Sequence, residues 1–248
     1  MASLDRIVRH PLKSIGREEL EEVSLKAGRW LPFDRLWGVA HERSSLDGGW
    51  GKKKNFLRGV ACPALMAVEA QLDVDGKTLT LMHPTQDDLT FRPDRKDDTP
   101  ALIEWLHDLW PMDLPAPTGV YRGSQTHLTD GPEPWVSINS IGSLKDLSQR
   151  AEMPLSLHRF RGNLWVDGFA PWAEMGWVGK KVRIGEAVLE VRDQITRCKA
   201  TMANPETGKR DADTLGALQE MGHQEFGVFA EVVEDGTVKL GDPVEVLA

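Results

Sequence analysis

Short runs of strand-forming residues, each closed by a turn pair, recur along the whole chain and restrict it to a β-rich fold. "LDRIVRH" alternates apolar and polar residues, and "LWGVAHE" follows a Pro/Asp turn. "LMAVEAQLDVDGKTLTLMH" sets two such runs around Asp75-Gly76, a pair that tolerates the positive φ of a tight turn. "KKVRIGEAVLEVRDQITRC" is a second hairpin, turning at Gly185-Glu186, and "FGVFAEVVEDGTVKLGDPVEVL" ends the sequence with strands around Asp235-Gly236 and Gly241-Asp242. Strands this short and this regularly interrupted build barrel-like β architecture.

A few helices cover it. "TPALIEWLHDLW" (99–110) has helical apolar spacing, with Thr99 as N-cap and Pro100 in the first turn. "VSINSIGSLKDLSQR" runs from a strand into a helix capped by Ser140, "NLWVDGF" is a strand, and "DTLGALQEM" (213–221) is a short helix. Between 111 and 134 the chain is rich in Pro, Gly and polar residues and reads as a long loop joining two parts, 1–115 and 116–248. At 248 residues, two modest, closely packed parts are expected.

The formal charge of −8 argues against a nucleic-acid partner, which requires a broad basic face. Two cysteines make neither a disulfide framework nor a zinc site, and reduced thiols of a cytoplasmic protein are expected. The N-terminus lacks the apolar core of a signal peptide, and no stretch approaches the ~20 apolar residues of a membrane span. No membrane partner is expected.

Five places could carry chemistry. Cys198 lies between Arg197 and Lys199 at the exit of a strand, and adjacent cations favour the reactive thiolate. On physics alone it is a soft-metal ligand, a nucleophile or an inert cysteine. "HPLKSIG" offers a cation, a hydroxyl and a permissive glycine at Lys13, Ser14 and Gly16, which suit a phosphate oxygen but equally an ordinary turn. "RFRGNLWV" alternates Arg159, Arg161 and Asn163 into a strand, which would place all three on one face. Basic "GKKKNFLRG" (51–59) invites two readings, a phosphate-binding segment and, preferred, a solvated loop. Trp172, in "FAPWAEMGW", is a core residue or a substrate-pocket aromatic. GxSxG, HExxH and GxGxxG are all missing, so hydrolase, zincin and dinucleotide readings have no anchor.

Together, "TRCKAT…NPETGKRD", the short helix after it and the terminal "GDPVEVL" resemble the MOSC domain, named for the C-terminal domain of molybdenum-cofactor sulfurase. "RIVRHPLKSIGREELEEVSLKAGRWLPFDRLWGVA" resembles the N-terminal β-barrel that precedes MOSC in the amidoxime-reducing component family. The resemblance implies a mainly β fold, a barrel-like MOSC core with a few helices after an N-terminal barrel-like, α+β part. It also implies a molybdenum–molybdopterin cofactor whose protein ligand is Cys198. By the same resemblance Lys13 and Ser14 hold the pterin phosphate, and Arg161, Asn163, Thr196 and Arg197 border the pterin. Ser137, Asn139 and Ser140 fall in a cofactor-contacting segment, and Lys54 stands near a position held by Arg in relatives. Pyridoxal phosphate attaches to the family only as a general label, with no residue of this sequence. Asn204 and Gly162 depart from the family's usual Asp and Pro.

The activity implied is reduction of small N-hydroxylated substrates such as amidoximes, hydroxylamines and N-hydroxylated bases. Electrons would come from an external ferredoxin- or flavoprotein-type donor, since this sequence has no cysteines to ligate an iron–sulfur cluster. A cofactor- or sulfur-carrier module with a Cys198 persulfide uses the same residues, and a metal-free thiol redox protein would pair Cys198 with Cys62.

Overall fold

The computed structural model describes residues 1–47, 50–123 and 126–247. Eight strands form one mixed sheet in the order Val244–Val246, Lys181–Ile184, Ala187–Thr196, Glu225–Glu234, Trp135–Ser140, Leu164–Asp167, Ser3–Arg9, Glu18–Leu20. Trp135–Ser140 and Leu164–Asp167 run parallel, and the other neighbours are antiparallel. A bridge between Ser3 and Pro243, with Leu4 N–H donating to Asp242 O and Val244 N–H to Ala2 O, brings the two ends of the sheet together. The sheet thus curls into a barrel, which relieves most of its edge. Its interior holds fully buried Leu4, Ile7, Val136, Ile138, Leu164, Leu189 and Val228.

Most of the expected elements form where the turn chemistry places them. The first hairpin pairs Glu69–Leu72 with Leu79–His83, and Gly76 takes φ +67° in its turn. Gln86–Phe91 adds a third strand beside it. The second hairpin joins Lys181–Ile184 to Ala187–Thr196. Helix α1 (Thr99–His107) begins one residue earlier than expected, with Asp98 rather than Thr99 at the cap. Helix α2 (Ile141–Arg150) is capped as expected, Ser143 N–H donating to Ser140 Oγ over 3.2 Å. Asp213 caps α3 (Thr214–Glu220) through Gly216 N–H.

Two expectations are corrected. The segment 111–134 is not all loop, because Pro117–Arg122 pairs along Trp37–His41. Its Thr118, Val120 and Tyr121 favour a strand once a partner is within reach, a long-range pairing that local composition does not show. Arg159 and Arg161 do not alternate along a strand. Leu157–Phe160 is a short 3-10 turn, Arg161 is left-handed at φ +49°, and the strand begins only at Leu164.

The first half builds its own apolar cluster around Trp37, Val39, Leu65, Leu81 and Leu102. A third cluster lies beneath α2 and α3, where Phe160, Trp165 and Phe226 pack ring on ring, Phe160 and Phe226 stacked with centroids 4.1 Å apart. Phe160 of this third cluster also lines the cleft that holds the candidate site.

Candidate active-site cleft

The cleft has a volume of about 360 Å³, within the ~300–1,000 Å³ of small-molecule sites. Its floor comes from the barrel strands through Trp135, Ser137 and Phe229, and its far wall from Ile195 to Cys198 as the strand Ala187–Thr196 ends. The near wall comes from the first half. There the tight turn Leu12–Ile15 is tied to the adjacent strand by Lys13 N–H donating to Trp37 O over 2.7 Å. Gly16 follows at φ +74°, where a Cβ would stand 2.7 Å from the Cβ of Ala70. Only glycine fits that turn without displacing the neighbouring strand.

Charge is the main character of the cleft. Lys13, Arg35, Lys53, Arg58, Arg159, Arg161 and Arg197 line it, against one carboxylate, Asp130. Seven cations converge here in a chain of net charge −8. Lys13, Arg35 and Arg159 are paired with Asp130, Asp34 and Asp211, and the remaining Lys53, Arg58, Arg161 and Arg197, with no carboxylate partner among the described residues, leave a positive field that favours an anion. Lys13 donates to Leu128 O (2.7 Å) and Asp130 Oδ1 (2.6 Å), and burial pulls its ammonium below the ordinary lysine range.

Arg161 donates to Gly16 O and Leu12 O, at 3.1 and 3.3 Å. Burial and the neighbouring Arg35 lower its pKa to about 9. Arg35 is held by Asp34 and donates to Arg161 O. Ser14, Arg35 and Arg161 all have left-handed backbones without being glycine, with φ of +65°, +52° and +49°. Backbone strain of this kind costs about 1–3 kcal/mol per residue and clusters where binding needs a fixed geometry.

Arg197, next to the residue that carries the thiol, is buried at 8% exposure. It donates to Phe226 O from Nε (2.8 Å) and Nη2, to Phe160 O (2.7 Å) and to Asn139 Oδ1 (2.8 Å), and its guanidinium lies over both phenyl rings. All of these acceptors are neutral, and burial lowers its pKa to about 9. Asn139 is locked above it: added Cβ atoms on Gly162 or Gly227 would overlap its amide. The glycine at 162 is therefore fixed by packing against Asn139. Asn139 Nδ2 and Arg159 Nε are buried and without a partner among the described residues.

The structure brings Lys13, Ser14, Ser137, Arg161, Asn163, Thr196, Arg197 and Cys198 into one cleft. Asn163 accepts from Ser137 N–H and Oγ and donates to Val8 O, so its amide fixes the barrel wall. Asn139 lies one layer below, against Arg197, and Ser140 is occupied as the cap of α2. Lys54 does not line the cleft. Its 3-10 turn, Lys53–Asn55, aims Lys53 inward and Lys54 into an adjoining groove with His41, Arg43 and Trp110. Trp172 packs on Phe226 and donates to Asp146, outside the cleft. Trp135 and Phe229, 5.6 Å apart, supply the aromatic wall instead.

Arg35, Lys53, Arg58, Asp130, Trp135 and Phe229 were not singled out from the sequence. They converge from distant segments, and only "GKKKNFLRG" carried a local signal. Asn204 donates to Asp211 Oδ2 over 2.7 Å, a bond that an aspartate there could not give. The two cysteines are free, Cys198 exposed and Cys62 buried. Cys62 donates its thiol to Leu109 O, and burial pushes its pKa up, a poor setting for a resolving thiolate.

A family model for the MOSC domain matches residues 125–245, and one for the MOSC N-terminal beta barrel domain matches 1–109. The chain is a MOSC-domain protein. It is 31% identical over 121 residues to the mitochondrial amidoxime-reducing component 1 of Mus musculus, covering 44% of this chain and 35% of that protein. Over 111 residues it is 29% identical to molybdenum cofactor sulfurase 2 of Culex quinquefasciatus, covering 42% and 14%. The match thus spans about a third of the length of the first of these relatives and 14% of the second. The YUAD protein from Bacillus subtilis, a solved structure, aligns with 99% of this chain and 96% of its own at 12% identity and TM-score 0.47. Within this MOSC-domain protein, Lys13 and Ser14 come from the N-terminal match and Ser137 to Cys198 from the MOSC match. Among the described residues no helix is long and apolar enough to cross a membrane.

Proposed function

We propose that the cleft binds molybdenum–molybdopterin with Cys198 as the protein ligand, and that the protein is an oxidoreductase for N-hydroxylated compounds. One observation carries the reading: seven cations and one carboxylate line a cleft that includes an exposed thiol. A dithiolene, phosphate and oxo-metal assembly is anionic, and a soft thiolate suits its metal. The partnerless Arg159 Nε gives the same wall a buried donor still to be satisfied.

In this reading Lys13 and the left-handed Ser14 turn take the terminal phosphate. Arg161 and Arg197 would balance the negative charge of the dithiolene and oxo-metal, and Asn163 holds Ser137 in the cleft lining. Arg197 also keeps its positive charge beside Cys198 at neutral pH, which would balance part of the charge of an anionic assembly held there. Trp135 and Phe229, with ring planes tilted by 35°, offer an apolar wall to an aromatic substrate. When bound, the cofactor supplies two-electron reduction in which an N-hydroxyl group leaves as water, with two electrons and two protons consumed. The electrons come from a separate donor protein.

The test is reduction of benzamidoxime by cofactor-loaded protein with dithionite as donor. The reading expects benzamidine from the wild type and none from Cys198→Ala. A loaded wild type that leaves the amidoxime intact, while Cys198 carries sulfur releasable by a thiol, would replace it with a sulfur carrier.

A further inference from the structure

The cations of the cleft continue outside it. Lys52, Lys53 and Lys54 are exposed on the 3-10 turn, and half-buried Arg58 lines both the cleft and the adjoining groove. From the other half of the chain, exposed Lys209 and Arg210 follow the Cys198 strand. The two segments are joined, because Arg210 Nη2 donates to Val60 O over 2.7 Å and Gly208 abuts the backbone of Ala64. The six cations therefore form a collar beside the opening that exposes Cys198.

None of the six pairs with a carboxylate among the described residues. Some cations elsewhere do, such as Arg9 with Glu18, Arg17 with Glu69, Arg159 with Asp211 and Arg192 with Glu231, whereas Lys77, Lys96, Lys180 and Lys181 stand unpaired but scattered along the sequence. Lys53 acts at a distance on Asp130 of the cleft without pairing with it, and the acidic neighbours in these loops act on other groups. Asp211 holds Arg159 at 2.7 Å, Asp213 caps α3, and the charge of Glu206 acts on Arg17. Six unpaired cations beside one opening, in a chain of net charge −8, leave the remaining surface strongly acidic.

We infer that this collar is the docking surface for a small acidic electron-transfer protein, which delivers electrons beside Cys198. The inference rests on the reductase reading for its purpose and on charge for its partner. A long polyanion or a flat anionic membrane would meet the acidic remainder of the surface as well as the collar. A compact acidic protein meets only the collar, where complementary charge raises the rate of productive encounter. Each docking event moves one electron from the partner's reduced centre, and two events with two protons from solvent balance one N–O cleavage.

The probe is an acidic plant-type [2Fe–2S] ferredoxin, titrated against wild type and the Lys52→Glu/Lys209→Glu variant. Neither residue lines the cleft. At low salt the variant should bind the ferredoxin about tenfold more weakly, and the difference should shrink as salt screens it. Ferredoxin-driven amidoxime reduction should fall in parallel, with dithionite-driven reduction unchanged. Equal ferredoxin affinity in the two proteins, no wild-type binding, or tighter binding of a short single-stranded DNA would each overturn the inference. If dithionite drives no reduction in the wild type, the reductase reading fails, and the binding titration still decides the collar.

Discussion

Arg197 donates to Asn139 Oδ1 across 2.8 Å, next to the residue that carries the exposed thiol. The bond fixes a buried cation whose other acceptors are the carbonyls of Phe160 and Phe226, and so sets a positive charge at the end of the strand. Replacing Arg197 with Met removes the charge and strands two buried carbonyls. The expected cost is about 3 kcal/mol in chemical denaturation. Arg197→Lys should recover part of it, because an ammonium keeps the charge but cannot span both carbonyls. Equal stability of wild type and Arg197→Met would show that the network is slack.

Gly162→Ala should destabilise by about 1–3 kcal/mol, since the new methyl overlaps an Asn139 amide already confined from the other side by Gly227. The same change made with Asn139→Ala should cost much less. A double-mutant cycle with no coupling would place the strain elsewhere.

Asp130 is the one carboxylate of the cleft and holds Lys13 at 2.6 Å. Asp130→Asn should tighten binding of inorganic pyrophosphate by about threefold, the scale of one partly exposed ion pair. Calorimetric titration reads it, and unchanged or weaker binding contradicts the assignment of Lys13 to an anion.

The pH dependence follows from His10, which is fully buried, with Nε2 lacking a partner among the described residues. Burial, Arg161 and Arg35 hold its pKa well below 6.5, so the native ring stays neutral where the unfolded one takes a proton. Its stabilising contribution is complete above about pH 6.5 and is lost as pH falls towards the lower native value. Denaturation midpoints should decline from about pH 7 to 5, and less steeply in His10→Gln. His83 and His127 are lowered too and should keep a residual slope.

The strands and their turns were legible because they depend on neighbours: Gly76 and Gly185 mark hairpins by the backbone they permit. The Pro117–Arg122 strand was hidden because its partner, Trp37–His41, lies some eighty residues away. Arg159, Arg161 and Asn163 do share a wall, for a reason other than strand alternation. A 3-10 turn and a left-handed Arg161 bring them together, and tertiary packing rather than local pattern sets that shape. Arg35 and Asp130 carry no signal of their own. Their place in the cleft exists only after the two halves pack together.

The central claim is that Cys198 and the cations around it hold a molybdenum–pterin cofactor. Wild type and Cys198→Ala, purified from a host that makes the cofactor, should be assayed together for bound molybdenum and for released pterin. The account predicts near-equal molar amounts of both in the wild type. In the variant molybdenum should be lost or changed in coordination, with pterin partly retained by the cationic cleft. A wild type that carries neither, in a host that loads a control molybdoenzyme, would contradict it.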